Sequence, residues 1–243
     1  MPRLLIAPDA ERAAHMAATQ IDAFITETRT HGDVVNIALA GGGTPRLAYT
    51  VLAALRQDWS GVHLWFGDER VVPLDGEDAN AHMVDEALVR PARIPETQVH
   101  RVETRLGAAG ACDAYADELH RLLPADAAGL PVLDLALLGL GEDGHTASLF
   151  PGADALHGKG RICAYVEDSP KPPPVRVTMT MEVLNAARRR IMLTAGIGKA
   201  GAVAAALAEP DDRVPASLLT RHDTTWILDV PAAQSLDEGD ARA

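Results

Sequence analysis

The sequence predicts an α/β protein built on a doubly wound, mostly parallel Rossmann-like sheet with helices on both faces. Three observations carry this expectation. Short apolar runs alternate with segments of helical periodicity along the whole chain. Several of those runs are apolar throughout, as strands buried on both faces are. Glycine-rich turns recur where a strand hands over to a helix. The chain has 243 residues, enough to bury a substantial core. Residues 1–231 read as a single domain, and the small, polar residues 232–243 read as a flexible tail.

Each element has its own signal. Residues 4–7 form a first apolar run, and Asp9 then suits the N-cap of a helix. Ala13, Met16, Ala17, Ile21, Phe24 and Ile25 recur three and four apart, giving that helix one buried stripe. Residues 34–40 are a run rich in β-branched side chains that ends in Gly41-Gly42-Gly43. Thr44 is expected as the next N-cap and Pro45 as the first helical position, with Leu47, Val51, Leu52 and Leu55 facing the core. A strand at 62–66, a helix at 80–89, a short strand at 99–102 and a helix at 108–123, stopped by Pro124, complete the first half.

In the second half, residues 132–138 are almost wholly apolar. A turn at 139–144 follows, with a short helix expected to begin near His145. Strands are expected at 162–166, 190–194 and 225–230, and helices near 180–187 and 198–208. Lys171-Pro172-Pro173-Pro174 reads as a stiff surface loop, since strand-like sequence resumes at once. No fixed-period repeat is present.

Composition excludes several classes. The 22 Lys and Arg against 34 Asp and Glu give a net charge of −12, without a long basic run. Nucleic acid and anionic membrane surfaces are therefore poor partners. No apolar run approaches the roughly 18–20 residues of a membrane helix, and the amino-terminal residues turn polar too soon for a signal peptide. Cys112 and Cys163 are far apart in sequence and form neither a CxxC pair nor a disulfide framework, so two buried, reduced thiols are expected. These features predict a cytoplasmic protein. They leave its oligomeric state open.

Three loops can carry chemistry. The first is Gly41-Gly42-Gly43-Thr44-Pro45, where unpaired N–H groups and the helix dipole suit a phosphate. No Lys follows at the Walker position, which argues against nucleoside triphosphates. The second, Gly139-Leu140-Gly141-Glu142-Asp143-Gly144-His145, begins as G-x-G-x-x-G, but Pro151-Gly152 would stop the helix that should pack under a pyrophosphate. What remains is an acid and an imidazole presented at a strand's carboxyl end. The third, Gly67-Asp68-Glu69-Arg70, is either a solvated loop or a polar cluster facing the same crevice. Arg176 lies between β-branched residues, and Lys199 follows a Gly-Ile-Gly turn; both invite an anion. The other histidines show no metal-ligand spacing, and neither a metal nor a cofactor is expected.

Taken together, these stretches resemble the 6-phosphogluconolactonases, which share a fold with glucosamine-6-phosphate deaminases and isomerases. The resemblance is carried by GGGTP at 41–45, FGDERVVP at 66–73 with Asn80 nearby, LLGLGEDGHTASLFPG at 137–152, RVTMT at 176–180 and GIGK at 196–199. It runs in order up to about residue 230. Two departures stand out. Ala40 and Gly43 replace serines of the family's Ser-Gly-Gly-Ser-Thr-Pro loop, and Ala79 precedes Asn80 where the family often has Ser. Deaminases follow the shared Asp-Gly-His with Phe-Asn-Glu-Pro, whose Glu pairs with the His, and tend to carry Asp-Glu-Tyr. Here Ser148-Leu149-Phe150-Pro151 and Asp68-Glu69-Arg70 stand instead.

The resemblance implies hydrolysis of 6-phospho-D-glucono-1,5-lactone to 6-phospho-D-gluconate in the pentose phosphate pathway. On that reading His145 shuttles the proton and Asp143 shapes the loop or orients the imidazole. Arg70 or glycine-loop N–H groups carry the tetrahedral charge. Gly42, Gly43 and Thr44 hold the 6-phosphate with Lys199 and Arg176, and Asp68 joins the substrate-binding residues. A deaminase or isomerase, or a non-catalytic sugar-phosphate sensor, is the alternative. A sensor has no need of His145.

Overall fold

The computed structural model describes residues 2–30 and 34–236. Among the described residues, ten strands and seven α-helices follow the alternation the sequence predicts. β1 (Arg3–Ala7) leads into α1 (Ala10–Arg29), whose Asp9 cap accepts the Arg12 N–H at 2.8 Å. Next come β2 (Val35–Leu39), α2 (Gly43–Leu55) and β3 (Val62–Phe66). β4 (Asp68–Arg70) precedes α3 (Asn80–Val84), a wider π turn (Asp85–Val89) and α4 (Arg90–Ala92). Then follow β5 (Val99–His100), α5 (Gly107–Leu122), β6 (Leu135–Leu138), β7 (Cys163–Val166) and β8 (Arg176–Met179). α6 (Met181–Ala186), β9 (Arg189–Thr194), α7 (Ala200–Leu207) and β10 (Thr224–Asp229) complete the described chain.

Seven strands form one parallel sheet in the order β1-β10-β9-β6-β2-β3-β5. From β2 the chain moves outward through β3 to β5. From β6 it moves the other way, through β9 to β10. The winding reverses between β2 and β6, so the turns leaving these two neighbours open a crevice at their carboxyl ends, where such sheets bind ligands. Both turns are glycine-rich: Gly41–Gly43 after β2, and Gly139–Gly144 after β6.

A second sheet, antiparallel in the order β4-β8-β7, was not foreseen. Gly67 joins the two sheets: its N–H donates to Leu39 O at 2.9 Å, and its carbonyl accepts from Met179 N at 2.8 Å. The chain at 68–70 is therefore the edge strand of a small sheet rather than a solvated loop. Two buried tyrosines fix helices to strand ends. Tyr49 Oη accepts from Ala40 N at 2.9 Å and donates to Ala40 O at 2.8 Å. Tyr115 Oη does the same for Phe66, at 2.8 and 3.0 Å. Each phenol satisfies a backbone pair that the sheet leaves over, and so holds the start of a site loop against the core.

Four expectations need correction. α2 begins at Gly43 with Gly42 as its N-cap at φ 109°, a left-handed value natural to glycine, so Thr44 lies inside the first turn. The buried face of α2 is Pro45, Ala48, Tyr49 and Leu52, while Leu47 and Leu55 are exposed, because Tyr49 anchors the helix at a different rotation. No helix starts near His145: Ala147 takes φ 48° and Thr146 bridges to Leu149, which closes a tight loop. The chain after residue 231 does not fray at once. Ala232 is fully buried, its N–H bonds Asp229 Oδ1 at 2.8 Å, and Leu236 packs on the core. Residues 237–243 of the expected tail lie outside the described residues. Cys112 and Cys163 are both buried and unbridged.

Candidate active site

A cleft of about 340 Å³ opens at the reversal point of the sheet. It is lined by Gly41 and Gly42 from the turn after β2, Asp68 and Arg70 from β4, and His145 from the turn after β6. Arg176 from β8 and Lys199 at the foot of α7 close it. The imidazole and the glycine turn, about a hundred residues apart in sequence, thus share one cavity. Gly43 and Thr44 do not line it, but they form the first turn of α2, whose N-terminus points its unpaired amides outward.

His145 is held by its own loop. Its Nδ1 lies 2.5 Å from Asp143 Oδ1. The carboxylate can only accept, so Nδ1 carries the proton and Nε2 keeps its lone pair. His145 O accepts from Gly141 N at 2.8 Å, and the ring packs on Phe150 at 4.5 Å between centroids. Space here is tight. A Cβ on Gly141 would stand 2.0 Å from His145 Nδ1 and 2.4 Å from Asp143 Oδ1. Gly144 turns at φ 84° against Val214, where a Cβ would meet Cγ1 at 2.8 Å. Burial pushes the His145 imidazole below its ordinary value; Asp143 and Asp68 pull it back up, and Lys199 pushes it down again. Burial raises the Asp143 carboxyl, but the imidazole and the hydrogen bonds outweigh it and leave it below the usual range. At neutral pH this is a carboxylate holding a neutral imidazole, an arrangement suited to proton abstraction.

The wall from β4 is a network. Asp68 is buried; its Oδ2 accepts from Ser148 Oγ at 2.6 Å and sits 3.9 Å from Arg176 Nη1. Glu69 points the other way along the strand and is 1% exposed. It accepts the backbone N–H groups of Arg70 (2.8 Å), Asn80 (2.7 Å) and Ala81 (2.7 Å), which caps α3 from outside the helix. Burial raises its carboxyl to about 7 despite those three donors. Asn80 then links both sides of the cleft. Its Nδ2 donates to Asp68 O at 2.9 Å, while a Cβ on Gly41 would stand 2.0 Å from its Oδ1. Gly41 is thus obligatory for close approach.

The three predicted cations differ in availability. Arg70 Nη1 donates to Asp78 O at 2.6 Å, and its Nε is buried without a hydrogen-bond partner among the described residues. Arg176 is largely engaged: Nε donates to Pro173 O at 2.9 Å, and Nη2 to Lys171 O at 3.0 Å and Pro172 O at 3.2 Å. It braces the proline loop against the cleft. Lys199 follows Gly196, whose φ is 98° and whose N–H reaches Asp229 Oδ1 and Oδ2 at 2.9 and 3.0 Å. Asp229 thereby fixes the turn that aims Lys199.

Sequence reasoning missed several participants. Asn80 and Ser148 were noted only within matching stretches, and the bracing role of Glu69 had no signal beyond a charged run. Glu142 lines the cleft beside the Gly196–Lys199 turn, where a Cβ on Gly198 would stand 3.0 Å from its Oε1. Pro172 and Lys171 also reach it, brought there by Arg176. Among the described residues, no three His, Cys, Asp or Glu side chains converge as metal ligands would, and no helix is long and apolar enough to cross a membrane.

Residues 8–227 match the model of a family described as Glucosamine-6-phosphate isomerases/6-phosphogluconolactonase. A 6-phosphogluconolactonase of Streptomyces coelicolor is 35% identical over 247 residues, spanning 97% of this chain and 95% of that protein. The probable chloroplastic 6-phosphogluconolactonase 3 of rice, Oryza sativa subsp. indica, is 35% identical over 221 residues; the match takes in 82% of this chain but 65% of the rice protein's length. The solved structure of 6-phosphogluconolactonase from Trypanosoma brucei superposes with a TM-score of 0.89 at 28% identity, over 98% of this chain and 99% of that one.

Proposed function

The chain belongs to the family of glucosamine-6-phosphate isomerases and 6-phosphogluconolactonases, and on that premise we propose that it hydrolyses 6-phospho-D-glucono-1,5-lactone to 6-phospho-D-gluconate, the lactonase step of the pentose phosphate pathway. One observation carries the reading: an imidazole whose Nδ1 is held by Asp143 shares a cleft with the Gly41–Gly42 turn and Lys199. A phosphate bound at one end would set a lactone carbonyl beside the imidazole at the other, which is the positional part of catalysis.

In this mechanism His145 Nε2 takes a proton from water as the water oxygen bonds to C1. The carbonyl oxygen becomes an oxyanion, which the Arg70 guanidinium lining the cleft and the glycine-loop amides can receive. When the tetrahedral carbon collapses, the C1–ring oxygen bond breaks and His145 returns its proton to the leaving oxygen. The new carboxylic acid then ionises into the medium. Asp143 keeps the ring in the required tautomer and stabilises the imidazolium between the two transfers. Gly42, Gly43, Thr44 and Lys199 hold the phosphate. Arg176 supports this end mainly by bracing the loop at 171–173, and Asp68 holds Ser148 and Asn80 in place.

The ground beneath the ring supports a lactonase over a deaminase. Where deaminases place the Glu that pairs with the His, this chain has apolar Leu149 and Phe150, both buried, and Phe150 packs on the imidazole. A small anionic substrate held by a few local cations, rather than nucleic acid, suits a chain of net charge −12. Work in the cytoplasm fits two buried, unbridged thiols.

The test is acid release from freshly prepared phosphorylated lactone, corrected for spontaneous opening, beside ammonia release from glucosamine 6-phosphate. The reading predicts catalysed acid release and no ammonia. Ammonia without acid release would replace it with the deaminase. Neither product would leave the sensor.

A further inference from the structure

A second cavity, of about 500 Å³, lies at the opposite end of the sheet from the cleft. It is framed by the first residues of four parallel strands: Arg3 of β1, Leu135 of β6, Arg189 of β9 and Thr224 of β10. Its lining includes four arginines, Arg3, Arg189, Arg190 and Arg221, with His222 beside them. The chain has only 22 cationic side chains against 34 acidic ones. Gathering four guanidiniums around one hollow therefore runs against the overall charge.

Folding accounts for only one of them. Arg190 is buried and fully engaged: Nε donates to Thr224 Oγ1 at 2.9 Å, Nη1 to Asn185 O at 2.9 Å and Nη2 to His222 O at 2.6 Å. It forms a rigid back wall. The others have little to do in the fold. Arg3 is exposed. Arg189 stacks over Phe24 at 5.0 Å and meets Glu27 at 3.6 Å in a pair exposed on both sides, a contact of small energetic weight. Arg221 donates one Nη2–H to Ala208 O, which leaves the rest of its fork. The only carboxylate in the lining, Asp223, is paired with His222.

We propose that this cavity is a binding site for a small di- or polyphosphate, separate from the cleft. Three available guanidiniums on a fixed base exceed what one phosphomonoester needs, and planar forks match phosphate oxygens two at a time. The volume lies in the range of small-molecule sites and is far larger than one inorganic phosphate requires. The proposal does not depend on the lactonase reading, because no residue is shared between the two cavities.

Isothermal titration with inorganic pyrophosphate tests it. Saturable binding is expected in the parent protein and in Lys199→Ala, weakened by about tenfold or more in Arg189→Ala/Arg221→Ala. Orthophosphate should bind the cavity more weakly than pyrophosphate. Lactone hydrolysis by the double variant should match the parent, which shows that it folds. No saturable pyrophosphate binding, or binding abolished by Lys199→Ala and untouched by the double variant, would overturn the proposal.

Discussion

Gly141→Ala tests the geometry of the imidazole most sharply, because it alters no group that takes part in the chemistry. A methyl at this position would stand 2.0 Å from His145 Nδ1, 2.2 Å from Cε1 and 2.4 Å from Asp143 Oδ1. Ordinary carbon contacts are about 3.5–4.0 Å, so the ring or the loop must give way by more than about an ångström. A displacement of that size at a reacting group costs on the order of 10²-fold in rate. The substitution should leave the phosphate end alone, since Gly41, Gly42 and Lys199 belong to other turns. The expected result is kcat down by about 10²-fold or more in the acid-release assay, approaching that of His145→Ala, with KM little changed and a cooperative thermal transition retained. A kcat within about threefold of the parent in a folded variant would refute the claimed packing of Asp143 against His145.

Removing the Asp143 charge should drop kcat by about 10²–10⁴-fold. Asp143→Asn should also move the acid limb of kcat/KM to lower pH, since Asp143 raises a His145 pKa that burial holds below the usual value; an upward shift would contradict the pairing. Lys199→Ala should raise KM for the phosphorylated lactone by about tenfold or more. It should move the acid limb upward, because Lys199 pushes the imidazole down; an unchanged KM would remove it from the phosphate end. Glu69 supplies a stability test. Its pKa is raised from 4.5 to about 7 in the fold, so its contribution to stability is present below about pH 4.5 and lost as pH rises through 7, amounting to about 3 kcal/mol. Glu69→Gln should flatten that part of the stability profile in denaturant unfolding at pH 5 and 8, and an unchanged slope would reassign it.

The parallel strands were legible because burial on both faces leaves almost no choice of residue: Leu135–Leu138 is apolar throughout. The glycine turns were legible because backbone must pass close to other groups there. The antiparallel sheet was not. Its edge strand, Asp68–Arg70, is wholly charged, and its pairing to Arg176–Thr178 spans about a hundred residues, so no local pattern announces it. The helix expected near His145 failed because an Asp-Gly-His turn followed by apolar residues imitates a helix start, whereas Ala147 adopts a left-handed conformation. In the cleft, residue types after strand ends pointed to Asp68, Arg70, His145 and Lys199. The bracing role of Arg176 depends on where the proline loop folds, and the reach of Asn80 to Asp68 and Gly41 depends on a cap supplied by Glu69 from another element. Such contacts are three-dimensional facts with no one-dimensional trace.

The central claim is that one cleft holds the phosphate at the α2 turn while His145 works on C1. A crystal structure with bound 6-phosphogluconate measures it directly. The phosphate should lie on the amides of residues 42–44 and Lys199, with the C1 carboxylate within hydrogen-bond reach of His145 Nε2. A phosphate seated elsewhere, or a carboxylate remote from the imidazole, would contradict it.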